Sequence, residues 1–178
     1  MSSSRWFALY VKSRHEQATE TFLRHKGYET FCPTYQSRRI WSDRVKEVAL
    51  PLFPNYLFCR FSIHDRTVPV LGTPGVSRIV GLGDHPTPIE ESEIAALQKI
   101  VSSRNAVMPW PYLQEGTGVR IERGPLSGIS GILISLRKHH RLIVSVSLLR
   151  RSVAVEVERT WVAPLRVGMR TQAAAGSI

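Results

Sequence analysis

Hydrophobic and polar positions divide the chain into stretches of different period. Trp6 to Lys12 (WFALYVK) is aromatic and β-branched without polar alternation, which predicts a strand covered on both faces. Ser13 to Lys26 turns helical: Ala18, Phe22 and either Leu23 or His25 share a stripe, and Glu16, Glu20 and Arg24 follow at i, i+4 spacing. Gly27 then stands where a helix C′ residue takes a left-handed conformation. Tyr28 to Ile40 and Val45 to Leu52 read as a long hairpin around the polar turn Trp41-Ser42-Asp43-Arg44, with a basic tip of Arg38, Arg39, Arg44 and Lys46. Pro54 to Phe61 (PNYLFCRF) predicts a strand whose proline stands at an edge or first position, because it has no ladder donor. His64 to Leu71 reads as a short helix, Gly72-Thr73-Pro74-Gly75 as a turn and Val76 to Gly81 as a further strand. Thr87-Pro88-Ile89-Glu90 offers a capping residue, a first-turn proline and a glutamate for the helix carrying Ile94, Leu97 and Val101; a start near Glu91 fits equally. This order predicts an α+β sandwich, with helices on a mostly antiparallel sheet.

Between Ser102 and Glu115 the period fails, two prolines intervene, and a flexible linker is expected over 104–115. Beyond it nearly everything reads as strand, broken by Gly124, Pro125, Gly128, Gly131 and the polar turn Lys138-His139-His140-Arg141. Ser152 to Glu158 (SVAVEVE) alternates at period two, with Val153, Val155 and Val157 on one face of a half-buried strand. A stretch of roughly fifty residues in short strands buries enough surface only by closing on itself, which predicts a small barrel. The expected organisation is a sandwich over 5–103, the linker over 104–115, a barrel over 116–166 and a disordered tail over 167–178.

Charge sharpens that division. Of 178 residues, 24 are Lys or Arg and 14 Asp or Glu, a net charge of +10 that suggests an anionic partner. Residues 1–60 hold 10 basic and 5 acidic side chains, 61–115 hold 4 and 6, and 116–178 hold 10 and 3, so two basic lobes flank an acidic middle. An apolar share of 43% supports a folded core. No apolar run is long enough for a membrane span and the start does not read as a secretion signal, so a cytoplasmic protein without a membrane partner is expected. Cys32 and Cys59 form no metal or redox motif and read as core residues.

No constellation for catalysis stands out. The phosphate-binding loop and the nucleophile elbow are both missing, and Gly81-Leu82-Gly83 continues as Asp84-His85-Pro86 rather than as a dinucleotide fingerprint. Glu90, Glu91 and Glu93 at a helix start read as charges complementing its dipole, and His139-His140 as part of a hairpin turn rather than as metal ligands. The expectation is a protein that is not an enzyme and needs no cofactor or metal.

Three stretches in order, Trp6-Phe-Ala-Leu-Tyr10 with Lys12 and a helix, Pro51-Leu-Phe-Pro-Asn-Tyr-Leu-Phe58, and Gly75-Val-Ser-Arg-Ile-Val-Gly81, resemble the N-terminal (NGN) domain of the NusG family of transcription elongation factors. Val119 to Leu133, with Arg120, Gly124, Pro125, Gly128 and Gly131, is similar to the KOW motif of the same family. The resemblance covers about residues 5–166 and is nearest the specialised antiterminators of the RfaH and UpxY type.

The resemblance implies a fold of NGN sandwich plus KOW barrel, and an elongation or antitermination factor acting on particular long operons. A housekeeping factor coupled to Rho or the ribosome is one alternative, and a KOW-type RNA-binding protein of the translation apparatus is another. It further implies that Tyr10, Phe53, Tyr56 and Phe58, with Leu82, line an apolar depression for the β′ clamp helices of RNA polymerase. Filling the core is the other reading of these side chains. Tyr56 and Phe58 face one way along their strand, Leu57 and Cys59 the other, whereas Trp6 reads as core. Lys12, Arg14 and His15 stand where family members approach the non-template DNA strand, although a solvated charged face explains them equally. A contact to the β subunit has only a loose counterpart in His64 to Thr67. The KOW partner, Rho or a ribosomal protein, stays open, and a monomer is expected. The β-branched stretches VSVSLL and SVAVEVE predict that the second module stays a barrel rather than refolding as helix.

Overall fold

The computed structural model describes residues 3–41, 44–113, 116–136 and 139–165. Its first sheet is built from β1 (Arg5–Val11), β2 (Glu29–Phe31), β5 (Tyr56–Phe61) and β6 (Val76–Ile79), in the order β2-β5-β1-β6 with every pair antiparallel. Register pairs Tyr10 with Tyr56 and Ala8 with Phe58, so Trp6, Ala8, Tyr10, Tyr56 and Phe58 share one face. Phe7, Leu9, Val11, Leu57, Cys59 and Phe61 occupy the other. That second face packs with Leu23 of α1 (Glu16–His25) and with Val70, in α2 (Ile63–Leu71), in one buried cluster. The first face meets α3 (Glu91–Ser102) through Ile94, Leu97 and Ile100. Covering both faces is why β1 shows no polar alternation, and Trp6 is buried as expected.

Helix α1 corrects its predicted stripe. Its buried side chains are Glu16, Thr19 and Leu23, whereas Ala18 is exposed and Phe22 stands 45% exposed. Tertiary hydrogen bonds account for the rotation: the Glu16 carboxylate accepts the Asn55 N–H, and the Thr19 hydroxyl donates to the Pro74 carbonyl. Gly27 follows the helix at φ +83°, as its position implied. Helix α3 starts at Glu91, not after Thr87, because the Ile89 N–H is bonded to the Trp6 carbonyl at 2.8 Å and holds that segment extended.

The predicted long hairpin is present as β3 (Thr34–Trp41) and β4 (Arg44–Pro51), which pair with each other and, among the described residues, with no other strand. Residues 42–43 of its turn lie outside the described residues. A smaller ribbon joins β7 (Gly81–Leu82) to β8 (His85–Pro86).

The second sheet runs β14-β10-β11-β12-β13-β9, antiparallel throughout, from β9 (Val107–Trp110), β10 (Thr117–Ile121), β11 (Ser130–Leu136), β12 (His139–Val146), β13 (Arg151–Val157) and β14 (Val162–Pro164). Strand β9 arises inside the segment that read as a pattern-free linker. Its Pro109 pairs with Val153 at the sheet edge, where a residue lacking N–H costs no ladder bond. The Asn105 side-chain amide also donates to the Glu156 carbonyl at 2.9 Å. Strand β13 differs from its half-buried expectation, since Ser152 through Val155 are all buried: the Ser152 hydroxyl lies 2.7 Å from that of Ser145 and accepts the Leu113 N–H at 3.3 Å. His139 opens a strand rather than sitting in a turn, and its Nδ1 lies 2.6 Å from the Glu156 carboxylate. Lys138 and the expected tail over 167–178 lie outside the described residues.

The two modules meet at α3. Lys99 donates to the Ser127 carbonyl, and the Ser147 N–H donates to the Glu93 carboxylate at 3.4 Å. Partial burial raises the Glu93 carboxyl above the usual carboxylate range, and the Ser147 N–H pulls against that shift. One buried apolar cluster runs from Trp6 and Phe58 through α3 to Leu142 and Val153.

Candidate functional site

Alternation along β1 and β5 places Tyr10 beside Tyr56, with ring centroids 5.3 Å apart in an edge-on contact. Both side chains are half-buried. In the buried cluster that Tyr56 packs against, Phe53 and Phe58 meet edge to face at 5.5 Å, and Phe31 stacks on Phe58 at 6.0 Å. Phe53 is 1% exposed and Phe58 0%, so these two form a buried floor while the tyrosines reach solvent. The guanidinium of Arg78 lies 5.2 Å from the centre of the Tyr10 ring, a cation–π geometry that steadies the ring.

Local backbone fixes the group. Asn55 adopts φ +70°, a conformation asparagine tolerates, and its carbonyl accepts the Val11 N–H at 2.8 Å while the Tyr56 N–H donates to the Phe53 carbonyl at 3.0 Å. Leu82 is set apart: it lies on the β7–β8 ribbon, 69% exposed, and its N–H donates to the Thr87 hydroxyl. Phe31 and Arg78 complete the surroundings and were not among the expected residues. Reading Tyr28 to Ile40 as one strand concealed the break at Cys32 and Pro33 and the separate strand β2, whose register sets Phe31 opposite Phe58.

Lys12, Arg14 and His15 are exposed together in the β1–α1 turn. The turn is held by the Lys12 N–H on the Gly75 carbonyl and by the His15 N–H on the Lys12 carbonyl, and Arg14 has φ +63°. The His15 ring nitrogen Nδ1 lies 2.9 Å from the Ser13 carbonyl. Arg14 also borders a cleft of about 300 Å³ between this turn and the base of the β3–β4 hairpin.

In the second module Arg120 is exposed on β10 and Pro125 lies in the turn that follows. Gly124, at φ +78°, lies under the Trp161 ring, and a Cβ on Gly131 would come within 2.4 Å of the Ile143 carbonyl oxygen. Gly128 sits in the same turn, where its N–H donates to the Ile121 carbonyl at 2.8 Å. The glycine spacing is thus a requirement of this sheet's geometry. No group of side chains suited to hold a metal ion occurs among the described residues, and no helix among them is long and apolar enough to cross a membrane.

The NusG protein of Thermotoga maritima, in a solved structure that describes its domain interaction, superimposes with a TM-score of 0.53 at 19% identity, over 89% of this chain and 96% of its own. That likeness shows the fold, an NGN-type sandwich followed by a small all-β module. The transcription termination/antitermination protein NusG of Thermus thermophilus is 26% identical over 176 residues, covering 88% of this chain and 96% of its own length. That of Helicobacter pylori is 24% identical over 174 residues, covering 85% and 93%. Residues 4–98, more than half of the chain, match the family described as "Transcription termination factor nusG", and the chain belongs to the NusG family.

Proposed function

We propose that this chain is a non-enzymatic transcription elongation and antitermination factor whose first module docks on the β′ clamp helices of RNA polymerase through Tyr10 and Tyr56. The observation that carries the reading is the aromatic group: two half-buried tyrosine rings in edge contact, on the sheet face whose buried cluster holds Phe53 and Phe58. Rings already held against each other, with Arg78 over Tyr10, lose little rotamer freedom on binding, which suits them as interface anchors. Leu82, exposed on its ribbon, would extend the apolar contact. Phe53 and Phe58 act in this reading by supporting the anchors.

Lys12, Arg14 and His15 would face the non-template DNA strand, giving a salt-sensitive affinity with little sequence information. Bound in this way, the factor favours the polymerase conformation it fits best, and so shortens pauses. The KOW module then recruits a further partner, Rho or a ribosomal protein, and the factor acts as a specialised paralogue on particular operons within the cytoplasm.

Transcription with purified polymerase tests the reading. The full chain is expected to shorten pauses and raise readthrough, and the Tyr10→Ala, Tyr56→Ala double variant to do neither. Pause lifetimes unchanged by saturating wild-type protein would overturn it. Adding Rho to the same reactions separates an antiterminator from a factor that assists termination.

A further inference from the structure

Among the described residues the β3–β4 ribbon pairs with no other strand, and on both faces its residues toward the tip, Arg38 to Ile40 and Arg44 to Glu47, are exposed. Register and alternation sort its charges. Arg38 lies opposite Glu47 on one face, and the two form an ion pair at 3.4 Å beside the exposed apolar pair Ile40 and Val45. On the opposite face Arg39 lies directly across from Lys46, and Arg44 follows at the next position of that face, across from Trp41. All three cations are exposed, and among the described residues none has an acidic partner. The ribbon's other acid, Asp43, lies in the turn outside the described residues.

Like charges directly opposite each other on a two-stranded ribbon destabilise it. Glu47, which could relieve them, is instead engaged by Arg38 on the other face. Nothing in the fold of the ribbon calls for this arrangement, but a polyanion would. A basic ribbon of two strands also has the width that the major groove of duplex DNA admits.

We propose that the face of the β3–β4 ribbon carrying Arg39, Arg44 and Lys46 is a contact surface for the phosphate backbone of nucleic acid, distinct from the Lys12 to His15 turn. That turn borders a cleft at the base of the ribbon, lined by Thr34, Ala49, Leu50 and Pro51, whereas Arg39, Arg44 and Lys46 lie toward the ribbon's tip. The contact does not depend on how the tyrosines engage the polymerase, since it concerns phosphate alone.

The test is binding of the full chain to a fluorescein-labelled DNA duplex and to a single strand of equal length, followed by anisotropy over a series of salt concentrations. Each phosphate contact adds about 0.9 to the salt slope on a duplex and about 0.7 on a single strand. The variant Arg39→Ser, Arg44→Ser, Lys46→Ser is therefore expected to lower the slope by about 2 to 3 and to weaken binding at low salt by roughly tenfold or more. A loss on the duplex alone identifies groove docking, and a loss on both probes identifies contact with the backbone whatever its form; each supports the proposal. Two controls guard the result: Arg38→Gln with Glu47→Gln, and three scattered exposed cations replaced as Arg66→Ser, Arg123→Ser, Arg159→Ser. Both are expected to retain a larger slope and tighter binding than the ribbon variant. A folded ribbon variant with unchanged affinity and slope on both probes, or a scattered variant that loses as much, would overturn the proposal.

Discussion

The carboxylate of Glu16 accepts the backbone N–H of Asn55 at 2.9 Å, joining the first turn of α1 to the tight turn that delivers Tyr56 into β5. Glu16 is buried, so its removal leaves a donor without a partner. Glu16→Ala is expected to cost about 1–3 kcal/mol in denaturant unfolding. Glu16→Gln keeps a carbonyl acceptor there and should restore most of the loss. Affinity for RNA polymerase should fall in the same order, because this turn sets the position of the tyrosine.

Phe58 and Tyr56 are two residues apart on one face and should respond differently. Phe58→Ala empties a fully buried site that touches Phe31 and Phe53, with an expected loss of about 3–5 kcal/mol of stability. Tyr56→Ala removes a ring that is only partly buried and should unfold at a denaturant concentration much nearer that of the wild type. Parallel unfolding curves of the two variants check this.

Gly131→Ala places a Cβ within 2.4 Å of the Ile143 carbonyl oxygen, a backbone atom of the adjacent strand. The β11–β12 ladder must shift to accept it, and a loss of about 1–3 kcal/mol is expected. Thermal unfolding followed by circular dichroism, with Ser130→Ala at the neighbouring exposed position as the comparison, reads the difference.

Burial pushes both thiols up to about 12; at Cys32 the nearby Glu20 and Glu16 carboxylates add to it and Arg24 opposes it. Protonated thiols are poor nucleophiles, so alkylation by iodoacetamide at pH 8 should be slow in the folded protein and fast in denaturant. The folded value lies above the unfolded one. Unfolded chains therefore bind fewer protons above about pH 9, and stability should fall as pH rises from there toward 12. Replacing both cysteines with alanine should flatten that decline when unfolding is repeated across the pH series.

The sequence made the strands of the first sheet legible because β1 and β5 carry continuous apolar runs, and the hairpin legible because its turn is polar. It misplaced the buried face of α1, since Glu16 and Thr19 are held inside by bonds to Asn55 and Pro74 that no local period records. Strand β9 stayed hidden for a related reason: Pro109 signals a break in isolation but is admissible at a sheet edge. At the candidate site, alternation separated Tyr56 and Phe58 from Leu57 and Cys59, which is the division the structure shows. It could not rank depth on a single face, so floor and rim became distinct only when Phe31 and Phe53 were seen around Phe58.

The central claim is that Tyr10 and Tyr56 anchor the factor on RNA polymerase, and equilibrium binding of labelled factor to core polymerase tests it most directly. With folding verified by circular dichroism and thermal midpoint, the Tyr10→Ala, Tyr56→Ala variant is expected to bind at least about a hundredfold more weakly than wild type, the loss of two interface anchors each worth about 1–2 kcal/mol or more. A folded double variant that binds core polymerase as tightly as the wild type would contradict the account.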